Sequence, residues 1–274
     1  MVQHIADRLR VVGCSDVGLV RTLNEDSFRI DEELGLLVVA DGMGGHDAGE
    51  VASAQVIDSI QESLNTFIAE KKDPPAARNQ PAECDDDDEE PTLDDIPNPL
   101  VDTVSAAVNR ANSSINNANW EKGYPEGMGM GTTVVGLWFP EFSETQVVFH
   151  VGDSRFYLYR QKRLLQVTQD HSMYQQWINF GGKGRPPAQN ILLQAMGPAQ
   201  KVRPDVRFQD LLKGDVVLLC SDGLSGMIDD KKIGEILSKV TADNLDASID
   251  LLIKAAREAG GKDNITAILG FSVK

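Results

Sequence analysis

An α+β layered domain is the fold class the sequence predicts, and two observations carry it. The β-rich runs "TQVVFHVGD" (145–153), "SRFYLYR" (154–160) and "RLLQVT" (163–168) follow one another across connections of a few residues. That spacing predicts an antiparallel meander. Three amphipathic helical patterns stand apart from these runs instead of alternating with them, which excludes a doubly wound parallel sheet.

The first helical pattern runs from about Gly49 to Ala69, with Val56, Ile60, Leu64 and Phe67 at three- and four-residue steps. The second, from about Pro99 to Asn119, repeats it with Leu100, Val104, Ala107, Ala111 and Ile115. The third, near Asn244 to Ala259, carries Leu245, Ile249, Leu252 and Ala256, with Gly260 as its stop. Two further strands are predicted in "DVVLLCSDG" and "NITAILGFSV". At 274 residues the chain can bury a substantial core, and it is read as one domain over 1–274.

The net charge of −16 is uneven. Residues 70–99 hold eleven acids against three bases, which accounts for half of it. Pro-rich and nearly free of large apolar residues, the stretch at about 71–98 is expected to be a mobile, solvated insert between two helices. A calcium site in its "DDDDEE" run lacks the Gly-centred loop that would order the acids. The acidic balance disfavours nucleic acid, whose phosphates require the opposite sign. No apolar window approaches a membrane span and no signal-peptide pattern is visible. Cys14, Cys84 and Cys220 form neither a disulfide framework nor a zinc pattern, so a reduced, cytoplasmic setting is expected.

The chemistry sits at strand ends. "LLVVADG" ends on Asp41-Gly42, "VVFHVGD" on Asp153 and "VVLLCSDG" on Asp222, while Asp263 immediately precedes the last strand. Asp and Gly are turn residues, and any one of these positions alone reads as a turn. Four together suggest a shared edge, where clustered carboxylates repel unless cations lie between them. Oxygen-only ligands select Mg²⁺ or Mn²⁺ over zinc, and a pair of such ions is suited to activating water against a phosphate ester. Arg21 lies four residues before Glu25; its guanidinium could fork onto phosphate oxygens, although alone it reads as a surface ion-pair partner.

The motifs "RTLNEDSF", "VVADGMGGHDAGE", "GMGTTVV", "VGDSR", "TQDHS", "CSDGL" and "GGKDNIT", in this order over almost the whole chain, make it similar to the metal-dependent protein serine/threonine phosphatases, the PPM or type 2C family, in its bacterial form. The resemblance implies a four-layer α-β-β-α sandwich with two mainly antiparallel sheets. It implies that Asp41 bridges two Mn²⁺ or Mg²⁺ ions, that Gly42 offers its carbonyl to one of them, and that Asp222 and Asp263 complete the ligands of the first ion. Glu25 would hold the second ion through water, Asp153 with Asp222 a possible third, and Arg21 the substrate phosphate. Thr132 and Thr133 would support the site, with Asp26 behind it. The implied reaction is direct attack of an activated water on phosphoserine or phosphothreonine of proteins, the substrates of a cognate kinase, by a monomer.

Animal relatives carry His directly after the Asp-Gly; here Met43 stands there, so His46 is a candidate leaving-group acid. His150 and His171 read as structural. A short flap is expected at about 172–197 with "GGKGRPP" as its tip, either a flexible loop or a basic lip, and Met173 and Trp177 as packing residues. A small-molecule phosphomonoesterase and a non-catalytic phosphoprotein-binding pseudophosphatase are the alternatives. The second predicts loss of a metal-site carboxylate, and none is lost. A nucleotide site in "GMGMGTT" lacks its flanking strand and helix.

Overall fold

The computed structural model describes residues 2–44, 48–72 and 98–274. The acidic insert, save for its ends, falls outside them, as do His46 and Cys84. In chain order the first half comprises β1 (Gln3–Ile5), β2 (Leu9–Asp16), β3 (Asp26–Asp31), β4 (Leu36–Met43), α1 (Gly49–Lys72), α2 (Pro99–Glu121), β5 (Gly131–Thr132) and β6 (Val134–Trp138). There follow β7 (Gln146–Val151), β8 (Arg155–Arg160), β9 (Arg163–Gln166), α3 (Met173–Asn179), β10 (Asp205–Gln209), β11 (Val216–Cys220), α4 (Asp222–Ser225), α5 (Asp230–Leu237), α6 (Leu245–Glu258) and β12 (Ile265–Ser272).

All three expected long helices form, within a few residues of their expected ends. α2 starts where its chemistry dictates: Asn98 caps it by accepting from the Leu100 amide at 3.1 Å, and Pro99 takes the first helical turn, where no amide is required. The strands build two six-stranded sheets, ordered β1-β2-β12-β11-β8-β9 and β10-β7-β6-β4-β3 with β5 paired onto β4. Every ladder among the described residues is antiparallel.

Three apolar layers separate the four structural ones. Leu36, Val38 and Ala40 of β4 face Val56, Ile60 and Leu64 of α1 and the Val104–Ile115 stripe of α2. On the other face of the same strand, Leu37 and Val39 meet Leu219 and Val217 of β11 across the space between the sheets. Val216, Leu218 and Cys220 of β11 point away from that space, toward Ile249, Leu252 and Ala256 of α6. Each sheet is therefore buried on both faces, which is why runs such as "LLVVA" read as continuously apolar instead of alternating.

One expectation needs correction. β7, β8 and β9 are not a meander: β7 pairs with β6 and β10, whereas β8 pairs with β9 and β11. Only β8–β9 is a hairpin. The chain crosses from one sheet to the other through Gly152-Asp153-Ser154. Three extended residues span about 10 Å, which is the usual separation of stacked sheets, so a short link fits an arch as well as a hairpin. Gly152 makes this arch feasible. Its φ is +106°, and a Cβ there would lie 2.7 Å from Cβ of Thr133.

Candidate metal centre

β4 carries Asp41 to the sheet edge, and its neighbours hold it there by the backbone. Asp41 is in register with Asp26 on β3. On the other side, the Thr133 amide donates to the Asp41 carbonyl at 2.9 Å, and the Thr132 hydroxyl donates to the same oxygen at 2.9 Å. The Asp41 amide donates to Oγ1 of Thr133 at 3.1 Å. Both threonines are buried, and Thr133 Oγ1 also lies 2.6 Å from Oγ of Ser154, at the foot of the arch. The glycines after Asp41 are required by close approach: a Cβ on Gly42 would overlap the carbonyl oxygens of Gly49 and Glu25, and one on Gly49 would overlap the Glu25 carboxylate.

The other acids arrive from separate elements. Asp153 sits in the arch, Asp222 opens α4 directly after β11, and Asp263 precedes β12. Arg21 and Glu25 come from the loop between β2 and β3. Arg21 Nη2 donates to Asp263 Oδ2 at 2.8 Å with about half of its side chain exposed. All seven described residues expected at the site (Arg21, Glu25, Asp41, Gly42, Asp153, Asp222 and Asp263) line one cavity of about 310 Å³. His46 lies outside the described residues; Met43 lines the cavity.

Burial and mutual repulsion define its electrostatics. The Asp41 carboxyl is pushed well above the ordinary carboxylate range, chiefly by burial and then by Asp26, Asp222, Asp153 and Asp263. Burial, followed by the Asp222 charge, raises Asp153 to about 7. Asp222 is raised by burial and by Asp263, with a hydrogen bond to Asp41 offsetting part of the effect. Behind them, burial raises Asp26 to about 7; its Oδ2 accepts from Ser221 Oγ at 2.8 Å, while Oδ1 is buried without a hydrogen-bond partner. Carboxylates converge here from five segments, and among the described residues no His or Cys lines the cavity with them. This donor set fits hard divalent cations, whose charge would relieve the repulsion.

Three lining residues were not foreseen: Gly44, Asn190 and Leu192. The last two belong to the segment 172–197, whose return limb is tied to its start by the Ser172–Leu192 bridge and by Leu193 N–H to the His171 carbonyl at 2.7 Å. That pairing spans twenty residues and leaves no local signal in the sequence. Met173, expected to pack, is instead exposed: α3 buries none of its residues against a core. Trp177 is half-buried, packs 5.7 Å from Tyr174 and donates from Nε1 to the Lys183 carbonyl at 2.8 Å, pinning the tip of the segment.

The structural reading of the two histidines holds. His150 is buried with Nε2 2.9 Å from the Gln169 carbonyl, and burial lowers it to about 4. His171 stacks on it at 4.5 Å, and its Nδ1 accepts from the Gly152 amide at 3.2 Å. With Asp205 they bring three possible ligand atoms within 4.8 Å of one another. A neutral imidazole has one free lone pair, and the Gly152 N–H occupies that of His171.

Two antiparallel sheets packed between helices, with an oxygen-only acidic centre at their shared edge, define a class of metal-dependent hydrolase scaffold. The chain belongs to the protein phosphatase 2C family, whose sequence model matches residues 20–270. It is 34% identical over 266 residues to the serine/threonine protein phosphatase PstP of Mycobacterium tuberculosis, covering 95% of this chain and 44% of that protein. It is 33% identical over 265 residues to the serine/threonine phosphatase stp of Listeria monocytogenes, covering 93% of this chain and 92% of that protein. The solved catalytic domain of PstP in complex with two manganese ions superposes with a TM-score of 0.75 at 33% identity, covering 97% of this chain and 99% of that one.

Proposed function

We propose that the chain is a protein serine/threonine phosphatase that hydrolyses phosphoserine and phosphothreonine in proteins with Mn²⁺ or Mg²⁺ as cofactor. The observation that carries this reading is the convergence of Arg21, Glu25, Asp41, Gly42, Asp153, Asp222 and Asp263 on one cavity. Asp41 and the Gly42 carbonyl, with Asp222 and Asp263, would hold two ions, Glu25 acting through water and Asp153 with Asp222 serving a possible third. Bound there, the ions supply the positive charge that acidifies a water and polarises phosphoryl oxygens.

The chain's own groups do the rest. The Arg21 guanidinium, half-exposed and anchored on Asp263, presents its free donors to the phosphate and takes up charge on its oxygens. Thr133 carries the only side-chain hydroxyl lining the cavity among the described residues, and it is engaged by the Asp41 amide and Ser154. That hydroxyl is not free to attack phosphorus, and carboxylates committed to holding ions are poor nucleophiles, which favours direct attack by water without a phosphoenzyme. Met43 has no proton to give, so His46 is the candidate acid for the departing alkoxide. Residues 1–274 are read as one catalytic unit, acting as a cytoplasmic monomer on proteins phosphorylated by a cognate kinase. No helix among the described residues is long and apolar enough to cross a membrane.

The test is hydrolysis of an aryl phosphate and a phosphothreonine peptide, with Mn²⁺ and then with chelator. Turnover of both, lost in chelator, is expected. Activity that persists in chelator overturns the metal mechanism. Turnover confined to small esters favours a small-molecule phosphomonoesterase, and phosphoprotein binding without turnover a pseudophosphatase.

A further inference from the structure

The loop from Val17 to Glu25 carries both the phosphate-facing Arg21 and the acid Glu25, yet it has little apolar anchorage. Leu19, Val20 and Leu23 are 57%, 65% and 68% exposed. The Arg21–Asp263 pair is half in solvent and holds the loop weakly. Polar ties must therefore fix its path: Leu19 N–H donates to the Gly261 carbonyl at 2.7 Å, Asn24 Nδ2 to Ser15 Oγ at 2.8 Å and Ser53 Oγ to the Glu25 carbonyl at 2.6 Å, and one further side chain reaches three separate points of the loop. Asn264 is 3% exposed. Its Nδ2 donates to the Val17 carbonyl at 3.0 Å and to the Leu23 carbonyl at 2.8 Å, while its Oδ1 accepts from the Glu25 amide at 2.8 Å. Both amide protons and the carbonyl are thus used, on three points that span the loop, and only one orientation of the carboxamide satisfies them. Its own amide donates to Asp263 Oδ1 at 2.9 Å. A single residue therefore joins the loop to the strand start that bears Asp263.

We propose that Asn264 is a positioning residue that sets Arg21 and Glu25 relative to the aspartates, acting through the 17–25 loop without touching substrate. The proposal rests on the phosphatase reading given above. An Asp at this position has the same shape and still accepts from Glu25, but it turns an oxygen instead of two donors toward the Val17 and Leu23 carbonyls. A Ser is small enough to fit and loses the reach to all three.

The experiment compares Asn264→Asp and Asn264→Ser with the unsubstituted protein, each alone and in an Arg21→Ala background, using an aryl phosphate with Mn²⁺. Misplacement by about 1 Å costs on the order of 100-fold in a well-aligned site, so each single variant is expected to lose about that much in kcat/KM while its melting temperature stays within a few degrees. In the Arg21→Ala background the further loss is expected to shrink to less than about tenfold, because the phosphate-facing group has gone and only Glu25, acting through water, remains to be positioned. Hydrogen exchange of the 17–25 amides, measured without substrate, is expected to accelerate in both variants whether or not the protein is a phosphatase. Losses that multiply fully in the double variant, an unchanged kcat/KM, or unchanged exchange in the loop would each overturn the proposal. If Asn264→Asp does not fold, Asn264→Ser carries the same comparison. An inactive unsubstituted protein with accelerated exchange in the variants would refute the phosphatase reading while leaving the loop-anchoring part standing.

Discussion

Replacing Asp153 by Asn is expected to stabilise the metal-free protein. The carboxyl stands at about 7 against an ordinary value of 3.8, raised chiefly by burial and then by Asp222. For an acid whose folded-state pKa is raised, the folded protein binds more protons than the unfolded chain between the two values, so stability falls as pH rises through that window. The loss is complete above about 8. A displacement of this size corresponds to about 4 kcal/mol, and because the side chain borders a water-accessible cavity we halve it to about 2 kcal/mol. With about 2 cal/mol/K of unfolding entropy per residue, a chain of this length converts that into a rise of about 3 to 4 °C. The assay is thermal unfolding in chelator at pH 8 and pH 4. Asp153→Asn is expected to melt higher than the unsubstituted protein at pH 8, by a margin that shrinks at pH 4, where the acid is protonated in the folded protein and partly so in the unfolded chain. Saturating Mn²⁺ should erase the margin by supplying the missing charge. A variant that melts lower at pH 8 in chelator, or a margin indifferent to pH, would refute the reasoning.

Other perturbations test the scaffold and the metal set. Chelation is expected to abolish phosphatase activity and Mn²⁺ to restore it, whereas Asp41→Asn is expected to stay at least 100-fold down under any Mn²⁺ concentration assayed. Thr133→Val keeps the shape but orphans the Asp41 amide and the Ser154 hydroxyl; it is expected to cost about 1 to 3 kcal/mol in denaturant unfolding, with a matching fall in kcat. Gly42→Ala forces a Cβ against the Gly49 and Glu25 carbonyls, and calorimetry is expected to show Mn²⁺ affinity reduced at least tenfold.

The long helices were legible because each buries one stripe, and a stripe leaves a three-to-four-residue rhythm. Val56, Ile60 and Leu64 on α1 and Val104 to Ile115 on α2 all face the core as read. The strand-end aspartates were legible because an acid ending an apolar run is conspicuous. Partition of strands between the sheets was not. With both faces of each sheet buried, alternation disappears, and the three residues 152–154 fit a hairpin or an arch equally well. Asn190 and Leu192 were hidden for a different reason: the Ser172–Leu192 bridge brings them to the cavity across a polar loop with no rhythm of its own. Met173 misled because helical spacing near an aromatic residue resembles a packed face even where the helix buries none of its residues.

Turn and site are not rival explanations of three of the four aspartates. Asp41 lies within β4, two residues before its end, whereas Asp153 lies where the chain passes between sheets, Asp222 where it leaves β11 and opens α4, and Asp263 between α6 and β12. Each of the last three is a change of layer, and a chain that changes layer must leave its hydrogen-bond ladder. Asp suits that step because its carboxylate can accept from nearby backbone, as Asp263 Oδ1 does from the Asn264 amide at 2.9 Å. The second oxygen then faces the common edge, where Asp263 Oδ2 meets Arg21. One oxygen serves the turn and the other the site, so the two roles are separable by substitution. Asp263→Asn retains an acceptor for the Asn264 amide, whereas Asp263→Ala does not. Both are expected to lose Mn²⁺ binding to a similar extent in calorimetry, but only Ala should also lose about 1 kcal/mol of stability in chelator. Equal stability of the two variants would show that the carboxylate contributes nothing to the turn.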